Sequence, residues 1–171
     1  MNDLPSRKPN RLKNFDYNSC CAYFITICVQ NRECILSDIV GDGAHDVPKN
    51  ILTEYGKIAE KNIISGNRIK NVTVENYVVM PNHIHIILRI ENIDSTCGTS
   101  KAPSPTNQTV PHFVSTFKRF CHAQIGFKIF QRSYHDHIIR NNKEYLFIWK
   151  YIENNPLKWN EDCFYMPDHI K

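Results

Sequence analysis

Two imidazoles one residue apart, His83-Ile84-His85, are the first side chains in this chain whose types and spacing could do chemistry. On a strand, positions i and i+2 share a face, so both rings project together while Ile84 and Ile86 face the other side. Adjacent imidazoles on a rigid strand can grip one divalent ion. The same spacing is equally that of two incidental histidines. A second such pair, His135-Asp136-His137, has a carboxylate on its opposite face. It is either a rival metal site or a polar strand edge whose Asp136 orients neighbouring groups. Tyr151 and Asn155 are one helical turn apart and share a face. Read alone, Tyr151 is a packing aromatic with a wet hydroxyl, and Asn155 a helix-end residue satisfying backbone groups.

The elements that must hold these residues follow from periodicity. Ala22 to Val29 is β-branched and aromatic throughout, the mark of a buried strand. Asp38 to Asn50 carries Gly41, Gly43 and Pro48 and reads as a loop. Ile51, Tyr55, Ile58, Ala59 and Ile63 give helical spacing over 51–64. Val72 to Met80 is a second strand, and Pro81-Asn82 separates it from a third, His83 to Ile90, as in a hairpin. Residues 91–109, rich in Ser, Thr, Pro and Asn, are expected to form a mobile loop. Val110 to Ile125 has a helical stripe, Lys128 to Arg140 an extended piece, and Lys143 to about Asn155 a last helix stopped by Pro156. In that helix Tyr145, Ile148, Trp149 and Ile152 form the core-facing stripe. Strand, helix, strand, strand, helix, strand and a terminal helix make an α+β, ferredoxin-like (split βαβ) antiparallel sheet.

Composition excludes whole classes. With 171 residues, 42% hydrophobic and 22% charged, the chain fits one domain and rules out disorder, collagen and coiled coil. No apolar run approaches the roughly 20 residues of a membrane span, and Met1 to Lys8 lacks the apolar segment of a signal peptide. A soluble, cytoplasmic protein with no membrane partner is expected. Seven scattered cysteines without C-x-x-C spacing read as reduced structural thiols. The net charge of +4 is compatible with a polyanion, and residues 1–14 form a basic arm through Arg7, Lys8, Arg11 and Lys13. As a solvated tail that arm would need no ligand.

Five blocks together are distinctive: Phe15-Asp16-Tyr17, Ala22 to Cys28, Val78-Val79-Met80-Pro81-Asn82-His83-Ile84-His85, Ser133 to Arg140, and Tyr151-Ile152-Glu153-Asn154-Asn155-Pro156-Leu157-Lys158-Trp159. In this order they resemble the single-tyrosine HUH transposases, in the branch of the REP-associated tyrosine transposases. The resemblance runs from about Arg11 to Trp159. It implies a ferredoxin-like fold with helices on one face and a C-terminal helix carrying a catalytic tyrosine. It also implies that Tyr151 is a nucleophile, that His83 and His85 bind a divalent ion, Mg²⁺ or Mn²⁺, and that Asn155 is the third, amide-oxygen ligand. Relatives often carry Gln at that last position, and Asn is shorter.

The implied activity is metal-dependent cleavage and rejoining of single-stranded DNA beside hairpins through a 5′-phosphotyrosine. Arg7, Lys8, Arg11, Lys13, Lys118, Arg119, Arg132 and Arg140 would bind nucleic acid, and the enzyme would act as monomer or homodimer. A non-catalytic hairpin-binding protein on the same fold, or a phosphodiesterase using water, would fit many of the same residues.

Overall fold

The computed structural model describes residues 21–41, 48–91 and 109–165. The basic arm at 1–14 and nearly all of the expected loop at 91–109 lie outside them. Among these residues six strands and three α-helices occur in the order β1 (Cys21–Cys28), β2 (Ser37–Val40), β3 (Lys49–Leu52), α1 (Glu54–Ser65), β4 (Val72–Val79), β5 (His83–Ile90), α2 (Thr109–Ile125), β6 (His135–Ile139) and α3 (Asn142–Asn154). The main sheet runs β4-β5-β1-β6 with every neighbouring pair antiparallel. This is the expected split βαβ order: β1 and β4, joined through α1, are separated by β5.

Alternation along β1 and β5 divides the molecule into two layers of core. Tyr23, Ile25 and Ile27 on β1, with Ile84, Ile86 and Leu88 on β5, pack beneath α1 and α2 through Ala59, Ile63, Phe113 and Phe117. The other sheet face carries Ala22 and Ile87, which meet Ile148 and Ile152 of α3. Two helices therefore cover one face and α3 the other, and His83 and His85 lie on the α3 side. The register pairs Thr26 of β1 with His85 on one side and His135 on the other.

One segment departs from the sequence reading. Residues 38–50, expected as loop, contribute to a two-stranded ladder that pairs Ser37 with Leu52 and Val40 with Lys49. Gly41, at φ 118°, leaves β2 in a conformation that only glycine adopts freely. Each arm is four residues long, too short for period-2 alternation to stand out. The ladder is fixed to the end of β4, where Asn50 Nδ2 and Ser37 Oγ both donate to Val79 O, at 2.8 and 3.2 Å. Because β3 takes Ile51 and Leu52, α1 starts three residues later than its apolar spacing suggests, behind the cap Thr53, whose Oγ1 accepts from Gly56 N.

Candidate active site

The turn after β4 sets the first histidine. Met80 N donates to His83 O at 2.9 Å, closing the turn through Pro81 and Asn82. Asn82 is buried, and its Nδ2 donates to Phe164 O at 2.8 Å and Arg32 O at 3.3 Å. Its Oδ1 then stands 2.9 Å from His83 Nδ1. On His85 the equivalent partner is Thr26 Oγ1, 2.9 Å from Nδ1. Both rings are thus held from behind, and their Nε2 atoms face each other at 3.0 Å. His83 is 0% exposed and His85 2%. Burial, then the Arg32 charge, lowers the His83 pKa to about 3. Burial, then His83, pushes His85 well below the usual imidazole value, against an opposing pull from Asp162. Both rings are neutral at pH 7, the state in which imidazole can donate a lone pair.

The helix with the tyrosine is anchored at its start. Asn141 Oδ1 accepts from Glu144 N at 2.9 Å, and Glu144 returns Oε2 to Arg140 N and Oε1 to His137 Nε2, each at 2.7 Å. Farther along, Arg89 pairs with Glu75 at the β4 bulge and sits 5.8 Å from the Tyr145 ring. These contacts aim Tyr151 at the histidines, with its hydroxyl 3.3 Å from His85 Nε2 and its ring edge-on to Phe24. Asn155 caps the helix C-terminus one turn on and is 3% exposed. Pro156 stops the helix, and a 3₁₀ segment at Pro156–Glu161 lays Trp159 6.0 Å from the His83 ring.

The chain then returns to the site through a residue that sequence reasoning passed over. Asp162 Oδ2 accepts from Asn155 Nδ2 at 2.9 Å and from the Tyr151 hydroxyl at 3.3 Å, while Oδ1 accepts from Phe164 N at 2.7 Å. His83, His85 and Asp162 offer ligand atoms all within 4.8 Å of one another, a cluster that could hold a metal ion. Asp162 thus brings a carboxylate oxygen beside the two imidazoles and within hydrogen-bond distance of the Asn155 amide. Burial, then the Asp162 charge, raises the Tyr151 pKa to about 12, with the Asn155 amide acting the other way.

The donor atoms fit a divalent cation. Two ligands at about 2.1 Å and a right angle lie about 3.0 Å apart, the separation of the two Nε2 atoms. Asn155 Oδ1 is buried without a hydrogen-bond partner, an amide oxygen with nothing to accept. Among the described residues His135 and His137 form no such cluster: both are exposed on β6, and His137 is engaged by Glu144. The other expected DNA contacts divide. Arg7, Lys8, Arg11 and Lys13 lie outside the described residues. Arg119, Arg132 and Arg140 are exposed. Lys118 is only 9% exposed, and its Nζ donates to the carbonyls of Gln131, Arg132 and Ser133 at 2.7, 3.3 and 3.0 Å. Expected at a DNA-facing surface, Lys118 is instead a clamp on the segment before β6.

A cleft of about 600 Å³ opens beside Tyr151, lined among others by Phe147, Lys150, Asn154, Lys158 and Asp162. Cys28, Cys121 and Cys163 are free thiols. Among the described residues no helix is long and apolar enough to cross a membrane.

No family model matches the chain. An uncharacterized protein of Haemophilus influenzae is 35% identical over 174 positions, covering 94% of this chain and 93% of that one. A REP-associated tyrosine transposase, solved bound to a REP hairpin, superposes with a TM-score of 0.60 over 90% of this chain and 74% of its own, at 19% identity. The fold is shared with that transposase, in agreement with the family that the sequence motifs resemble.

Proposed function

From a chain that belongs to one family with the Haemophilus influenzae protein and has the fold of a REP-associated tyrosine transposase, we propose a metal-dependent DNA strand transferase acting on single strands beside hairpins. The observation that carries this reading is the Tyr151 hydroxyl, 3.3 Å from His85 Nε2 at the mouth of the paired imidazoles. His83 and His85 would hold Mg²⁺ or Mn²⁺ through Nε2, with Asn155 Oδ1 as a third ligand and Asp162 as a further oxygen beside it. When bound, such an ion polarises the scissile phosphate and offsets the charge that develops on its oxygens.

The chain's own residues do the rest. The cleft along α3 takes the strand, with Lys150 and Lys158 set for phosphates. Tyr151 Oη attacks the phosphorus while the P–O3′ bond breaks. The phenolic proton leaves towards Asp162 Oδ2, which already accepts from that hydroxyl. The leaving O3′ takes up a proton, returned from Asp162 or from water, so the products are a 5′-phosphotyrosine and a free 3′-OH, and reversal by a 3′-OH rejoins DNA without loss of the bond energy. Exposed Arg119, Arg132 and Arg140, with the arm residues Arg7, Lys8, Arg11 and Lys13, would add sequence-independent affinity. The hairpin in the solved transposase supports the choice of DNA partner.

The test is incubation of the whole chain with Mn²⁺ or Mg²⁺ and labelled single-stranded DNA, hairpins included, from the flanks of its own gene. Denaturing electrophoresis and mass spectrometry should find an adduct on Tyr151, and Tyr151→Phe should bind the DNA but form none. Metal-dependent cleavage without an adduct would assign a phosphodiesterase using water. Binding without cleavage would leave a hairpin-binding protein.

A further inference from the structure

We propose that Thr26 is a tautomer switch for His85: its hydroxyl donates to Nδ1 when no cation lies between the histidines, and accepts from Nδ1–H when one does. The inference rests on the reading of His83 and His85 as ligands of a divalent ion. It begins at Asn82. The Nδ2 end of that side chain faces two carbonyl oxygens, Phe164 O and Arg32 O, which only accept, so the amide orientation is fixed by its partners. The end facing His83 Nδ1 at 2.9 Å is therefore Oδ1, also an acceptor. His83 must carry its one hydrogen on Nδ1, and its Nε2 presents a bare lone pair.

That lone pair meets His85 Nε2 at 3.0 Å, a distance that requires a hydrogen between the two nitrogens when no ion lies there. A second contact leads to the same assignment. The Tyr151 hydroxyl has one hydrogen, directed to Asp162 Oδ2, because the carboxylate can only accept. Its oxygen, 3.3 Å from His85 Nε2, is then another acceptor turned towards that nitrogen. His85 thus carries its hydrogen on Nε2, the opposite tautomer to its neighbour. Its Nδ1 is bare and must receive the Thr26 hydroxyl at 2.9 Å.

Two Nε2 lone pairs are needed to hold an ion. His83 is already set, so the rearrangement falls on His85 alone. Its hydrogen leaves Nε2, one returns at Nδ1, and Thr26 Oγ1 rotates from donor to acceptor. Each ring has one hydrogen before and after, so no net proton is released. A hydroxyl can serve both states, whereas a carboxylate at 26 would accept only and a methyl would do neither. Register pairs Thr26 directly with His85, and its β-branch keeps the side chain stiff in the strand. Replacing the hydroxyl with a methyl leaves a buried, cation-polarised N–H unpaired in the ion-bound state, a costlier loss than the lone pair left bare without the ion.

The test is ¹⁵N NMR of the histidine side chains in the whole metal-free protein, then with Mg²⁺ added, together with calorimetric titration of Mn²⁺. Without the ion, His83 should be Nδ1–H and His85 Nε2–H; Mg²⁺ should convert His85 alone to Nδ1–H. Thr26→Val should weaken Mn²⁺ binding by about tenfold or more, the usual effect of losing a hydrogen bond to a ligand imidazole. Thr26→Ser should restore binding to within about threefold of wild type. His85 found as Nδ1–H in the metal-free wild type would overturn the switch and leave the metal reading standing. Unchanged affinity in Thr26→Val would also overturn it. Wild-type protein that takes up neither ion would remove the metal reading and the switch with it.

Discussion

Asp162 sets its Oδ2 3.3 Å from the Tyr151 hydroxyl and is the acceptor of that phenol's proton. The contact has two opposed consequences. It gives the proton somewhere to go, and it holds the proton on, since a carboxylate beside a phenol disfavours phenolate. Burial contributes more than Asp162 does, and together they bring Tyr151 to about 12.

Asp162→Asn should therefore lower the Tyr151 pKa from about 12 towards the ordinary phenol value near 10, without reaching it because the ring stays partly buried. Tyrosinate absorbance, measured against a Tyr151→Phe background in metal-free protein, reads this directly. An unchanged value would mean that burial alone sets the phenol. Cleavage should fall even so, because the variant has lost its proton acceptor.

Gly56 is expected to be intolerant of a single methyl group. A Cβ there would lie 1.9 Å from Leu36 O, a backbone atom that cannot rotate away. Leu36 O also accepts from Thr53 N, and Leu36 N donates to Pro81 O beside Asn82, so a displaced segment would disturb the turn behind His83. Gly56→Ala should cost about 2–3 kcal/mol, in the range of overpacked cores. Gly126→Ala meets nothing within 4 Å and bears only the cost of its φ of +93°, about 1–2 kcal/mol. Urea unfolding of both variants ranks them, and equal losses would mean that the helix start can shift freely.

The parts legible in the sequence are those with long periodic signals. β5 alternates histidine and isoleucine against a continuous apolar run, and α3 places Ile148 and Ile152 on one stripe, so both elements and their faces follow from spacing. Tyr151 and Asn155 come together because one regular helix carries both. Asp162 lies only seven residues after Asn155, but Pro156 breaks the helical register and the intervening 3₁₀ segment has a kink at Lys158, so no period predicts where its carboxylate points. Lys118 misleads for a related reason: a lysine amid Phe117 and Phe120 looks like part of a basic-aromatic surface, and only the tertiary path of residues 131–133 supplies three carbonyls to draw it inward. The supporting roles of Thr26 and Asn82 depend on strand pairing and chain return, which spacing alone does not encode.

Acid should unfold the metal-free protein early. His83 stays neutral in the folded state down to about pH 3, whereas in the unfolded chain it protonates near 6.5. The unfolded state therefore binds more protons as pH drops below 6.5, and stability is lost progressively from there towards pH 3. By pH 5 this amounts to about 2 kcal/mol for His83, with His85 acting in the same direction. Urea denaturation with chelator at pH 7.5 and 5.0 should show at least that difference, and His83→Gln should reduce it. Equal stability at the two pH values would mean that His83 is solvated rather than enclosed.

Metal uptake should depend on β5 and not on β6, although both strands carry paired histidines. Thr26 lies between His85 and His135 in the register, so those two rings stand two strands apart, about 10 Å, and cannot share an ion. What separates the pairs is the state of their nitrogens. The Nε2 atoms of His83 and His85 are buried, neutral and convergent, with Asn155 Oδ1 lacking a partner nearby. His137 Nε2 is committed to Glu144, and His135 is exposed. His83→Ala or His85→Ala should abolish Mn²⁺ binding in calorimetry. Asn155→Ala should weaken it by about tenfold or more while leaving both imidazoles in place. His135→Ala and His137→Ala should keep the wild-type affinity to within about twofold, since neither touches the cluster. The His137 variant should nonetheless melt earlier, because Glu144 loses one of the contacts that pin the start of α3 to β6. Loss of the ion in the β6 variants, with retention in His83→Ala, would move the metal site to the edge of the sheet.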